Sequence, residues 1–252
     1  MAIEIIRKSE QAYGAFNGGE IVENKPIGFD REGGKLRSYS NLFYWAFAEA
    51  KVDSTIGLHP HQGFEIMSFV LNGEIRHYDT AGKNWIPLQA GDVQIIRAGS
   101  GISHAEFMAR DAQMFQIWFD PGLQRTLGQA ASYDDYRSEG FNTQDHEQYL
   151  QTTLVGSGAP IRMDTPGVMI RRIGIKTSDV QLPLAEDKVH SIYVLSGAVQ
   201  TEDQRVEQHD FIRIQEQSEW SFRAEDNTEL FIISSPASLH YPTYKQLMQQ
   251  RV

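Results

Sequence analysis

The sequence predicts an all-β protein made of two β-sandwich halves. Short apolar runs rich in β-branched and aromatic residues recur along the chain, and turn residues such as Gly, Asp, Asn and Pro separate them. Runs of this length and composition are typical of strands in sandwiches and barrels. Helical periodicity is weak. In addition, one strand–turn–strand motif appears twice, once in each half of the chain.

The elements can be assigned in chain order. The polar segment 132–154 predicts a connector between the halves. Residues 241–252 predict a short closing helix, since Pro242 lies near its first turn, where proline is well tolerated. The predicted strands are FEIMSFVL (64–71), VQIIRA (93–98), MFQIWF (114–119), VMIRRIGI (168–175), SIYVLSG (191–197), DFIRI (210–214) and ELFIIS (229–234).

The repeated motif divides the chain near its midpoint. SFVLNGEI (68–75) and IYVLSGAV (192–199) share the pattern aromatic-Val-Leu-x-Gly, and their glycines lie 124 residues apart. Each motif is followed by a polar segment and then by another strand. We therefore predict two copies of one β-domain, covering residues 1–125 and 126–252.

Composition excludes several classes of function. The formal net charge of −10, from 33 acidic and 23 basic residues, argues against direct nucleic-acid binding, which needs a basic surface. The absence of cysteine excludes disulfides, thiolate nucleophiles and cysteine-ligated zinc. The first residues, MAIEIIRKSEQAYGAF, are too polar for a signal peptide, and no apolar run is long enough to span a membrane. We expect a cytoplasmic protein with no membrane association.

Two pairs of residues predict a metal site. His59 and His61 are two apart, as are His104 and Glu106, and residues two apart on a strand face the same way. The glycines of RAGSGIS, just before His104, allow the tight turn that aims this strand. Three imidazoles and one carboxylate suit Fe(II), Ni(II), Mn(II), Cu(II), Zn(II) or Co(II) and leave coordination positions open. Glu65 would share the face of the first pair if the strand ran regularly through Gly63.

The other histidines do not form pairs with this spacing. His77 follows a turn and is expected at the wrong end of its strand. We expect the remaining four to have no part in the site; these are His146, His190, His209 and His240.

The segments that carry these pairs resemble the pirin family of the cupin superfamily. HPHQGFE, VLNGEIRHYD, GDVQIIRAGSGISHAEF and FQIWFDP, within about residues 40–122, are similar to the metal-binding half of pirins. The resemblance implies a bicupin of two β-sandwich or jelly-roll domains, with the metal site in the N-terminal one. It implies the ligands His59, His61, His104 and Glu106. The general cupin pattern would instead use Glu65, which we place next to the site or as the alternate ligand.

The resemblance also implies the function. Pirins are Fe(II) proteins, and members act as quercetin 2,3-dioxygenases or as transcriptional co-regulators. We expect a dioxygenase that opens a flavonol-like ring with O2, with Glu106 or Glu65 accepting the proton of the substrate hydroxyl. The partners would then be a small aromatic substrate and O2. The alternative is a non-enzymatic, iron-binding redox sensor that acts through a regulatory protein partner.

The second half lacks the metal-binding residues. With the glycines of the two motifs aligned, His59 and His61 correspond to Pro183 and Ala185. A similar alignment of the later strands places Phe222 at the position of His104. We therefore expect a C-terminal domain that contributes structure and no metal ligand.

Overall fold

The computed structural model describes residues 2–202 and 204–250, and nearly all of its regular elements are strands. The prediction of an all-β fold is confirmed. Two short α-helices, α1 (Leu123–Thr126) and α2 (Tyr244–Gln249), and brief 3₁₀ turns complete the described elements. The strands are β1 (Ala2–Ile6), β2 (Ala12–Phe16), β3 (Ile21–Ile27), β4 (Leu42–Ala50), β5 (Ser54–His61), β6 (Glu65–Asn72), β7 (Glu74–Asp79), β8 (Trp85–Gln89), β9 (Val93–Arg97), β10 (Ile102–Met108), β11 (Gln113–Phe119), β12 (Ser132–Tyr136), β13 (Thr143–Asp145), β14 (Tyr149–Val155), β15 (Met169–Ile175), β16 (Asp179–Pro183), β17 (Lys188–Ser196), β18 (Ala198–Thr201), β19 (Gln204–Glu207), β20 (Phe211–Gln215), β21 (Glu219–Ala224) and β22 (Glu229–Pro236).

The segment 132–154, interpreted from sequence as a polar connector, does join two compact units of the chain, which meet in sequence between residues 140 and 141. It also contains β12, β13 and nearly all of β14. These strands are hard to recognise from sequence for a simple reason. β12 and β13 are the outermost strands of their sheets, so one side of each meets solvent and polar side chains are tolerated there. Such edge strands lack the apolar run by which a buried strand is recognised.

The chain folds as two compact units. The first unit contains residues 11–140, 163–166 and the C-terminal residues from 240 onward, and the second contains the remainder. This division differs from the predicted cut between residues 125 and 126. Strand β1 pairs with β20 of the second unit, while the short segment 163–166 and helix α2 belong to the first.

The first unit is a sandwich of two antiparallel sheets. A seven-stranded sheet has the order β12-β9-β6-β11-β4-β3-β2, and a four-stranded sheet has the order β5-β10-β7-β8. Buried apolar side chains from both sheets meet between them, for example Val70 and Met114 from the larger sheet and Ile75 and Leu88 from the smaller. This burial stabilises one end of the sandwich and leaves the other end to polar and aromatic residues.

The second unit repeats this plan. Its sheets have the orders β1-β20-β17-β22-β15-β14-β13 and β16-β21-β18-β19. The turns after the two repeated motifs correspond, because Gly73 and Gly197 have φ angles of 72° and 69°. The core of this unit is apolar and includes Ile192, Ile232 and Trp220. The sequence repeat therefore reflects two copies of one sandwich.

Cutting the chain after Gly128 should give an insoluble or aggregating N-terminal fragment. The fragment would lack β12, segment 163–166 and α2, and so would leave a strand edge and apolar side chains of the first unit uncovered. Sedimentation after expression measures the outcome. The control is the full chain with a protease site at the same position, which should stay soluble after cleavage because both pieces are present. A soluble, monomeric, metal-loaded fragment would contradict this expectation.

Candidate metal centre

Strands β5 and β10 bring the two predicted pairs together. They run antiparallel in the four-stranded sheet, with His104 directly opposite His59. Because β10 is regular against its other neighbour, β7, His104 and Glu106 project from the same face. Both are buried, at 0% and 1% exposure.

A β-bulge in β5 turns its histidines towards the same interior. His104 pairs with His59 but Glu106 pairs with Ile56, so one extra residue lies in β5 between these two positions. Before the bulge, Ile56 is buried; after it, Leu58 is 58% exposed and His61 is 8% exposed. The bulge thus shifts the inward positions from even to odd residue numbers and places His59 and His61 inside.

The three imidazoles converge. One nitrogen of each of His59, His61 and His104 lies within 4.8 Å of the others, and the Nε2 atoms of His61 and His104 are 2.9 Å apart. Two nitrogen ligands ~2.1 Å from one metal and ~90° apart would be ~3.0 Å from each other. The donor set and its spacing therefore fit a transition metal. Among the described residues, no carboxylate belongs to this tight group of three.

The histidines are held in the form that binds metals. The Nδ1 atom of His59 lies 2.8 Å from the carbonyl oxygen of Gly57, which can only accept, so the proton is on Nδ1 and the lone pair is on Nε2. Burial and the neighbouring imidazoles lower the pKa of His61 to about 3 and that of His104 to about 2. Both rings are neutral at neutral pH, as ligation requires.

The turn before β10 depends on a glycine. Gly99 has a φ of 48°, and a Cβ added there would lie 2.5 Å from the carbonyl oxygen of Gln129. A larger residue would collide with this backbone, so the glycine-rich segment has the role that the sequence indicated.

Glu106 is held by two donors from the opposite sheet. Ser68 Oγ donates to Oε1 at 3.1 Å, and Gln116 Nε2 donates to Oε2 at 2.6 Å. The carboxylate is near enough to His61 to favour its protonated form electrostatically. Glu106 is therefore buried, oriented and adjacent to the histidine group.

Glu65 lies in a different environment. Gly63, with a φ of 78°, separates β5 from β6, so the regular strand that would have aligned Glu65 with the histidines does not form. The backbone N–H groups of Asp164 and Thr165 each donate to its carboxylate at 2.7 Å, and the Thr165 hydroxyl donates as well. Burial raises the pKa of Glu65, while these hydrogen bonds act in the opposite direction. Glu65 fixes the segment 163–166, and this favours Glu106 over Glu65 as the carboxylate of the site.

Sequence reasoning missed a third pair. His77 and Asp79 are 1% and 0% exposed, and His77 Nε2 lies 3.2 Å from Asp79 Oδ2. The ring centroid of His77 is 5.3 Å from that of His104. The expectation that His77 lies away from the site is therefore wrong. The signal was available, because His77 and Asp79 have the same two-residue spacing as the metal-site pairs.

An aromatic cavity of about 650 Å³ lies beside the histidines. Its wall includes Trp118, whose ring centroid is 4.7 Å from that of His61, edge to face. The indole Nε1 of Trp118 also points to Gln116 Oε1 at 3.5 Å, so one residue separates the cavity wall from Glu106. The other aromatic lining residues are Phe29, Phe43, Phe64 and Tyr244.

Helix α2 forms part of this cavity and is fixed at its first residue. The backbone N–H of Tyr244 donates to Asp120 Oδ2 at 2.5 Å, and the Tyr241 hydroxyl donates to the Asp120 carbonyl oxygen at 2.6 Å. Thr243 caps the helix through a capping box with Gln246. Asp120, the aspartate of FQIWFDP, therefore positions residues of the cavity wall that come more than 120 positions later in the sequence.

Comparison with known proteins agrees with this geometry. Residues 35–119, which include all four predicted ligands, match the pirin family model. This match covers only part of the chain. Relatives of the chain include a pirin-like protein from Caulobacter vibrioides, 27% identical over 79% of this chain and 84% of that protein. They also include the quercetin 2,3-dioxygenase of Escherichia coli K12, 26% identical over 71% of this chain and 76% of the relative.

The likeness in fold extends beyond residues 35–119. The bacterial pirin YhhW from Escherichia coli, solved in complex with nickel(II), superposes with a TM-score of 0.78 at 20% identity, covering 94% of this chain and all of that one. The bicupin architecture is thus confirmed for both halves. No helix in the described part of the chain is long and apolar enough to cross a bilayer.

Replacing His61 by Ala should abolish stoichiometric metal binding and leave the first unit folded. The imidazole contributes a ligand directly, while the sandwich is stabilised by its own apolar core. Metal content per chain can be measured by elemental analysis and folding by circular dichroism. The matched control is His146→Ala, which removes an exposed histidine of the second unit. Full metal occupancy in His61→Ala would remove this residue from the ligand set.

The two glutamates should respond differently to replacement by Gln. Glu106→Gln should lose most of the metal. Glu65→Gln should keep it but lose about 1–3 kcal/mol of unfolding free energy, because the NH2 that replaces one carboxylate oxygen cannot accept the hydrogen bond from the N–H group of Asp164 or Thr165. Metal analysis and urea denaturation separate the effects, and the opposite pattern would assign Glu65 to the metal.

Proposed function

We propose that this chain is a metal-dependent dioxygenase of the quercetin 2,3-dioxygenase type, which opens the ring of a flavonol-like substrate with O2. The observation that carries the proposal is the aromatic cavity in contact with the histidine group through Trp118. Small-molecule sites are concave and mostly apolar, with volumes of roughly 300–1,000 Å³. A relative named quercetin 2,3-dioxygenase supports the same reaction class.

The metal would be held by His59, His61, His104 and Glu106. Fe(II) is the first candidate, and the same donors suit Ni(II), Mn(II), Cu(II), Zn(II) and Co(II). When bound, the metal supplies open positions at which the oxygens of the substrate and O2 are brought together and electrons are exchanged.

The protein's own groups would do the remaining work. Aromatic rings such as Phe43 and Phe64, with centroids 4.5 Å apart, offer flat apolar faces for a flavonol to stack against. Glu106 would accept the proton of the substrate 3-hydroxyl and so make the ring electron-rich. Gln116 and Ser68 would keep its carboxylate in one orientation. Ring opening would consume one O2 and release one carbon monoxide per substrate.

The cavity also bears on the alternative function. A redox sensor that acts through a protein partner needs the metal ligands but no space for an organic molecule. Trp118 both lines the aromatic cavity and contacts His61, so the cavity lies one side chain away from the histidine group. Space of this kind beside the site is expected for catalysis and favours the enzyme.

The direct test is to incubate the Fe(II)-loaded and Ni(II)-loaded proteins with quercetin in air. We expect loss of the flavonol absorbance band with release of carbon monoxide in equal amount, and neither change with Glu106→Gln. Ser38→Trp, which places a large ring in the cavity, should raise KM without changing metal content. Ser221→Trp in the second unit is the control. Metal-loaded protein that leaves quercetin and other 3-hydroxyflavones unchanged would refute the proposal.

A further inference from the structure

The second unit contains a buried arginine inside its own sandwich. Arg171, on β15, is 5% exposed. It is two residues from Ile173, which belongs to the apolar core, so both side chains point between the two sheets. Its neighbour Arg172 faces the other way and forms an ion pair with Glu229, both about one-third exposed. The two adjacent arginines therefore have opposite environments.

One edge of the Arg171 guanidinium has no partner among the described residues. Nη1 donates to Gln151 Oε1 at 3.2 Å, which fixes the plane of the group. Nε and Nη2 are buried and make no hydrogen bond there. These two nitrogens form the edge whose parallel N–H bonds bind a carboxylate or phosphate through two oxygens.

The neighbouring polar residues do not satisfy this edge. His190 and Ser234 are both 0% exposed on the adjacent strands β17 and β22, and His190 Nδ1 lies 2.8 Å from Ser234 Oγ. His190 Nε2 lies 3.0 Å from the carbonyl oxygen of Ala185, so Nε2 carries the proton and the serine hydroxyl donates to Nδ1. Burial lowers the pKa of His190, which keeps the ring neutral. The histidine and serine thus satisfy one another, and Arg171 contributes the positive charge at this place.

A buried charge without a counter-charge is strongly destabilising. Arginine stays protonated at neutral pH even where burial lowers its pKa, as it does for Arg171. Within the described residues, no carboxylate forms an ion pair with it. An anion from solution would supply both the missing charge and the two missing acceptors.

The position of Arg171 corresponds to the centre of the first unit's site. Gln116 and Ile232 occupy equivalent positions in the two units. Gln116 follows Phe115, which pairs with Phe69, four residues before the turn glycine of the first unit. Ile232 follows Phe231, which pairs with Tyr193, four residues before the turn glycine of the second unit. Ala46 pairs with Gln116, and Arg171 pairs with Ile232. Arg171 therefore lies at the level where the first unit holds Glu106.

We propose that the second unit binds one small oxyanion on the Nε–Nη2 edge of Arg171. The ligand is of carboxylate or phosphate chemistry and small, because the surrounding side chains are almost wholly buried. This site is independent of the metal centre and of the reaction proposed for it.

The test measures thermal unfolding of the full chain in formate, acetate, phosphate and sulfate, at constant ionic strength against chloride. We expect a saturable rise in Tm of roughly 2–5 °C for at least one oxyanion. Arg171→Met should lose this rise and Arg172→Met should keep it. The preferred anion distinguishes a planar carboxylate ligand from a tetrahedral phosphate or sulfate.

A second measurement covers the case in which Arg171→Met does not fold. Equilibrium dialysis of the unmodified chain with radiolabelled formate and phosphate should give one bound anion per chain. The same stoichiometry in His61→Ala would separate this site from anion binding at the metal. An equal Tm rise in Arg171→Met, or no bound anion in dialysis, would overturn the proposal.

Discussion

The candidate metal centre depends on one extra residue in β5. A strand alternates its side chains with a period of two, so a shift of one residue exchanges the inner and outer faces. Without the bulge, Leu58 would continue the inward series begun by Ile56, and the histidines would face outward. The same bulge provides the Gly57 carbonyl that fixes the tautomer of His59. Position and protonation of this ligand thus have one structural cause.

The two sheets of the first unit have different roles at the site. The four-stranded sheet supplies the histidines and Glu106, while the seven-stranded sheet supplies Ser68, Gln116 and Trp118. Because packed sheets lie about 10 Å apart, side chains from opposite sheets meet midway. Gln116, one of the donors that orient Glu106, therefore also contacts Trp118 of the cavity wall, and a substrate against Trp118 would be one residue away from the carboxylate.

The sequence was sufficient for features that depend on local pattern. The buried strands follow from apolar runs, the two sandwiches from the glycine-anchored repeat, and the histidine group from residues spaced two apart. Non-local features were not predictable in this way. The attachment of Thr165 to Glu65 joins positions 100 residues apart, and that of Tyr244 to Asp120 joins positions 124 apart. His77 is a different case, since its spacing to Asp79 is visible in the sequence, but its position after a turn predicts the wrong end of the strand.

The two units demonstrate how far interior chemistry can diverge while a fold is retained. Strand order and turn geometry agree, yet Arg171 occupies the place of Ala46. The apolar core sets the fold in both units, and single inner positions beside that core can differ while the fold is kept. In the first unit the interior holds three histidines whose spacing fits a cation. In the second unit, the guanidinium of Arg171 gives the corresponding region a positive charge and leaves one edge without a hydrogen-bond partner among the described residues. The loss of the metal ligands in this unit therefore need not mean the loss of ligand binding.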